Sequence, residues 1–77
     1  MPTYYEVLKL DPNAAVEIIE AAIDDQYNQF RRLINHHDPN VVEQANRALR
    51  QLEVIRETLT NHEKRVVYDQ SLNLGGL

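Results

Sequence analysis

Residues 30–40 read FRRLINHHDPN, and the reading of this stretch decides the fold. On its N-terminal side Ile19, Ile23, Tyr27, Phe30 and Ile34 recur at spacings of three and four, the pattern of one helix face. On its C-terminal side Ala45, Ala48, Leu49, Leu52, Ile55 and Leu59 do the same. Between Ile34 and Asn40 every residue is polar except Pro39. The stretch therefore reads as a short turn joining two long helices, and so brief a connection makes them antiparallel neighbours. Two signals compete for the start of the second long helix. One is Asp38 with Pro39 at the first helical position; the other is Asn40 with Glu43 three residues on, an Asn version of the capping box.

Outward from this hairpin the signals stay helical, with no strand-period alternation and no hairpin-type turn pair. Thr3 with Glu6 is a capping box, predicting a short helix over residues 4–9 with Tyr5 and Leu8 inward. Asp11-Pro12-Asn13 breaks the chain, and a long helix is expected over residues 14–34, with Ala22 permitting a close neighbour. Thr60 with Glu63 reads as a further box, opening a short helix over residues 63–72 with Val66, Val67 and Leu72 inward. The expected fold class is all-α: a long antiparallel helical hairpin flanked by two short helices. It occupies residues 1–72, with 73–77 as a tail or the start of a linker.

With 77 residues the chain makes one domain. A domain of this size buries only about 60% of its unfolded surface, which suits a binding module better than a deep catalytic pocket. The net charge of −4 argues against nucleic acid as the main ligand. There is no cysteine, one serine, and no glycine before Gly75. A nucleophile elbow, a phosphate-cradling loop and a dinucleotide fingerprint are thereby excluded, and no enzyme activity is expected. His36, His37 and Asp38 are metal-ligand types, but zinc needs three or four converging groups and consecutive residues do not converge. No metal or other cofactor is expected. No run approaches the roughly 18 apolar residues that span a bilayer, and the N-terminus has no secretory pattern. Tyr5, Tyr27 and Tyr68 fall at core spacings.

Two segments, YYEVLKLDPNAAVEIIEAA (4–22) and LTNHEKRVVYDQ (59–70), resemble the opening and closing parts of the J-domain of DnaJ-type co-chaperones. The likeness covers residues 4–70. It implies the four-helix J-domain architecture, and a family whose members dock on a DnaK-type ATPase and stimulate it. That activity is carried by a His-Pro-Asp tripeptide after the second helix and by Lys and Arg along that helix. This chain departs at both places. The tripeptide position falls on Arg31-Arg32-Leu33 counted from the front, or near His36-His37-Asp38 counted back from Leu49; the nearest match is the permuted His37-Asp38-Pro39. The basic strip is replaced by Glu20, Ala21, Asp24, Asp25 and Gln29.

The resulting expectation is a degenerate J-like protein–protein interaction module of a larger protein, monomeric, unable to stimulate a DnaK-type ATPase. The alternative is a working DnaJ-type co-chaperone that contacts its ATPase through a non-standard turn. The partner is a protein in either case, with no nucleic acid and no membrane insertion of this segment. The residues expected to meet it are the acidic face Glu17, Glu20, Asp24 and Asp25, and the turn with Arg31, Arg32, His36, His37 and Asp38. A cytoplasmic setting is expected, or the cytoplasmic or stromal side of a membrane-tethered parent.

Overall fold

Thr3 opens the first element: its hydroxyl accepts the Glu6 N–H at 3.1 Å, and α1 runs Tyr4–Leu8. The computed structural model describes residues 2–75. Three further helices follow, α2 (Val16–Leu33), α3 (Pro39–Leu59) and α4 (His62–Gly75), with no strand among the described residues. The all-α class and the order of four helices are as the sequence reads, although α4, at 14 residues, is longer than the short helix expected. Among the described residues no helix is long and apolar enough to cross a membrane.

The helix ends show which local signals win. α1 closes at Lys9, whose backbone is left-handed at φ 59° and ψ 42°. Lys9 N–H donates to the Glu6 carbonyl at 3.0 Å and Leu10 N–H to the Tyr5 carbonyl at 2.9 Å. These two bonds make a Schellman closure, a position usually given to glycine because a Cβ there costs about 1 kcal/mol. α2 begins two residues later than expected, because Asp11 turns the chain first: its carboxylate accepts the Asn13 N–H at 2.8 Å. At the start of α3 Asp38 prevails over Asn40, its carboxylate accepting the Asn40 N–H at 2.9 Å with Pro39 leading the helix.

The expected Thr60–Glu63 box does not form. Thr60 instead closes α3, its hydroxyl donating to the Arg56 carbonyl at 2.5 Å, and Asn61 takes over the start of α4 by accepting the Lys64 N–H at 3.2 Å. This one-residue displacement goes with a different inward face. Val66 and Val67 are 40% and 66% exposed, whereas Arg65, Tyr68, Asp69 and Leu72, at spacings of three and four, turn toward the core. α4 continues to Gly75, into the segment read as tail; Gly76 and Leu77 lie outside the described residues.

α2 and α3 lie against each other as the expected hairpin. The core is Tyr5 and Leu8 from α1, Ile19 and Ile23 from α2, and Leu52, Ile55 and Leu59 from α3. Each such side chain contributes about 1.5–3 kcal/mol on leaving water. Tyr27 and Phe30 extend the seam half-buried, but Ile34 stands beyond the end of α2 and is exposed, against expectation.

The short helix α1 is held to the hairpin by polar contacts as well. Gln26 of α2 donates its amide to the Val7 carbonyl at 2.9 Å. The Tyr5 hydroxyl donates to Asp69 at 2.6 Å and accepts from Arg65 Nε at 3.1 Å. Arg65 also donates to the Pro12 and Ala14 carbonyls at 3.1 and 2.8 Å, tying the loop before α2 to α4. Tyr68 stacks on Tyr4, ring centroids 4.5 Å apart, and its hydroxyl accepts the Tyr4 N–H at 2.8 Å. That N–H belongs to the first turn of α1 and has no partner within the helix.

Burial, reinforced by the hydrogen bond to Asp69, raises the Tyr5 hydroxyl above its usual 10.0, with Arg65 pulling the other way. Folded Tyr5 therefore holds its proton more tightly than unfolded Tyr5. Its contribution to stability is whole below pH 10.0 and is lost as the pH rises through the raised folded value. An absorbance titration of the wild type minus that of Tyr5→Phe should isolate one tyrosinate step above pH 10.0; a step at or below that value would contradict the burial. Ile55 is fully buried, so Ile55→Ala should cost about 3 kcal/mol in denaturant unfolding. Val54→Ala, at a half-exposed neighbour, should stay within about 0.5 kcal/mol. Lys9→Gly should raise stability by about 0.5–1 kcal/mol by relieving the left-handed position.

Candidate functional site

The turn joining the long helices is built from side chains that take over backbone hydrogen bonds. α2 runs out at Leu33, and His36 N–H still reaches the Leu33 carbonyl at 3.0 Å. The Asp38 N–H then donates to Nδ1 of His36 at 3.0 Å, and the Asp38 carboxylate accepts from Asn40. The rings of His36 and His37 stack, centroids 4.4 Å apart and planes 21° from parallel. Both lie along a shallow open groove against α3, with Pro39, Val42, Glu43, Asn46 and Arg50.

Charge at this end of the hairpin is unevenly used. Glu43 pairs with Arg47 at 2.9 Å, as the i,i+4 spacing predicts. Arg50 does not reach Glu53; its Nε turns back to the Asn46 carbonyl at 3.4 Å. Arg31 and Arg32, in the last turn of α2, are exposed and make no ion pair among the described residues. No acid lies within four residues of either on the helix. The tip thus carries three guanidiniums outside any ion pair, beside two imidazoles and exposed Leu33 and Ile34.

The other expected surface is acidic but not uniform. Glu17, Glu20, Asp24 and Asp25 are all exposed. Glu17, Glu20 and Asp24 share an arc of about 60° on the helical wheel, with Asp25 to one side. Asp24 is not free: it accepts from the Arg56 guanidinium, which crosses from α3 and clasps the hairpin. Asp25 accepts the Gln29 amide at 3.0 Å and lines a groove between α1 and α2 with Lys9. Glu17 and Glu20 keep open carboxylates on the N-terminal half of α2. The face therefore has two ends of opposite sign, acidic near Glu17 and basic near Arg31. Between α3 and α4, Lys64 donates to Glu57 at 2.5 Å and holds its carboxyl below the usual range.

Among the described residues no group of three or more His, Asp or Glu side chains stands together as a metal site. His36 and His37 face the α3 groove, whereas Asp38 spends a carboxylate oxygen on its helix cap. No buried side-chain nitrogen or oxygen lacks a partner among the described residues. Sequence reasoning missed two features. One is the Asp24–Arg56 clasp, whose partners lie on different helices 32 positions apart and give no local signal. The other is the acceptor role of His36, which needs a bent backbone that spacing does not report.

Both members of the Asp24–Arg56 pair are about half exposed or more, so their coupling in a double-mutant cycle should stay below about 1 kcal/mol and shrink with added salt. A coupling that ignores salt would mean that the pair is shielded from solvent. Comparison with protein-family models, with curated proteins and with solved structures finds no match to this chain.

Proposed function

We propose that this domain is a J-like protein–protein interaction module that has lost the power to stimulate a DnaK-type ATPase. The architectural reading rests on two things. One is the resemblance of residues 4–22 and 59–70 to the J-domain's ends. The other is the helix order, an antiparallel hairpin whose first and last helices meet through Tyr4, Tyr5, Arg65, Tyr68 and Asp69. The observation that carries the loss of function is the surface of α2 and its turn. Glu20, Asp24 and Asp25 occupy positions that the resemblance assigns to the family's cation-rich docking edge, and the turn reads His-His-Asp-Pro with its histidine and aspartate engaged in the turn itself.

A partner that accepts this surface must offer positive charge toward Glu17 and Glu20 and negative or polar groups toward Arg31, Arg32 and Arg50. An acidic docking groove that welcomes an ordinary J-domain meets like charge along the N-terminal half of α2. Such juxtaposition costs several kcal/mol across an interface. Exposed Leu33 and Ile34 beside the arginines supply apolar contact at the tip. Arginine flanked by aliphatic surface is a composition that interfaces favour.

The decisive measurement is single-turnover ATP hydrolysis by a DnaK-type chaperone, with an ordinary His-Pro-Asp J-domain as positive control. The expected outcome is no acceleration by this domain at any concentration that saturates the control. Acceleration that disappears in His37→Ala or Asp38→Ala would overturn the proposal and favour a co-chaperone with a non-standard contact.

A further inference from the structure

Among the described residues, three side chains accept the backbone N–H two residues ahead: Asp11 for Asn13, His36 for Asp38, and Asp38 for Asn40. The last two are consecutive, so the turn from α2 to α3 is a relay in which one side chain positions the residue that caps the next helix. Two of the three acceptors are carboxylates; the middle one is an imidazole. A carboxylate keeps a lone pair when it gains a proton. Nδ1 of histidine has a single lone pair, and in the imidazolium both ring nitrogens are donors. The bond at 3.0 Å between Asp38 N–H and Nδ1 therefore exists only while Nδ1 carries no proton.

Charged and titratable groups face the ring from each element at this end. On its own turn His36 stacks on His37, ring centroids 4.4 Å apart. Asp38 lies beside it, with one carboxylate oxygen committed to the cap of α3. From α3, Glu43 and Arg50 line the same groove, and Glu43 is paired with Arg47. From α2, the last turn brings Arg31 and Arg32 to this end of the hairpin.

We propose that the hairpin turn is an acid-sensitive latch, closed by neutral His36 through the Asp38 N–H and opened when the ring takes up its second proton. Opening frees the Asp38 amide, separates the stacked rings and reorients the histidines at the tip. The hairpin itself persists, because its seam lies elsewhere. This inference stands on the turn geometry alone and is independent of any J-like reading.

The test is amide exchange and chemical shift at Asp38, followed by NMR on the whole chain between about pH 8 and about pH 5, the interval in which histidines change charge. After correction for intrinsic exchange, protection at Asp38 should fall about fivefold, the equivalent of one ordinary hydrogen bond, in step with the His36 ring signals. His36→Asn retains an i to i+2 acceptor of the kind Asp11 supplies and does not titrate. Its Asp38 amide should stay protected at both ends of the range. His36→Phe keeps a ring for stacking but no acceptor, and its Asp38 amide should be unprotected throughout. His37→Phe should respond as the wild type does. A wild-type Asp38 amide that stays unchanged while the His36 ring titrates would overturn the latch. So would a response abolished by His37→Phe, or one that survives in His36→Asn.

Discussion

A phenolic oxygen placed inside a helix bundle has to be satisfied there, and the placement of Tyr5 governs the arrangement of the outer helices. Its ring is buried in the core, while its hydroxyl emerges between Asp69 and Arg65. Leaving such a group unpaired costs about 1–3 kcal/mol. Asp69 and Arg65 are four residues apart on α4, so meeting the hydroxyl fixes the rotation of that helix. Once α4 is turned this way, Tyr68 comes to lie over Tyr4 and Leu72 packs toward the core. A helix of only five residues has no stability of its own in water. α1 persists because α4 completes its first turn and the core absorbs Tyr5 and Leu8.

The hairpin follows a different logic. Its seam is apolar, and its polar surface is free to carry whatever charge function requires. Only Asp24 among the acids of α2 is drawn into the architecture, through Arg56. The remaining charge separates along the helix, acidic toward the clasped end and basic toward the turn. The proposed role as a non-stimulating interaction module depends on that separation. So does the expectation that its partner differs in charge pattern from a chaperone ATPase.

Much of this was legible in the sequence, where period and punctuation coincide. The two long helices followed from apolar residues at threes and fours, and the turn followed from six largely polar residues ending in Asp-Pro-Asn. What failed was local competition. Thr60 and Asn61 are both competent caps, and the choice fell to Asn61 because Thr60 was taken by the end of α3. The inward face of α4 failed for a related reason. Val66 and Val67 look more buried than Arg65 and Asp69 on hydrophobicity alone, but the Tyr5 hydroxyl selects the polar pair. The left-handed Lys9 carried no signal, since a chain without glycine in its first 74 residues must use another residue type wherever that conformation is needed before then. Of the expected interaction residues, Glu17, Glu20, Arg31, Arg32, His36 and His37 lie open to solvent, Asp38 is half-buried at its helix cap, and Asp24 is the one whose charge is already engaged across the hairpin.

The tyrosine clasp, Tyr5 held by Asp69 and by the Arg65 that also grips the Ala14 carbonyl, lies at the start of α2, and the hairpin turn follows its end; the helix between them has 18 residues and is hence about 27 Å long. Substitutions that far apart, with no shared contacts, act independently on stability. The turn can therefore drift in sequence without loosening the clasp, and the clasp can be tightened without changing what the turn displays. A scaffold divided in this way is free to exchange one binding specificity for another at little risk to its folding.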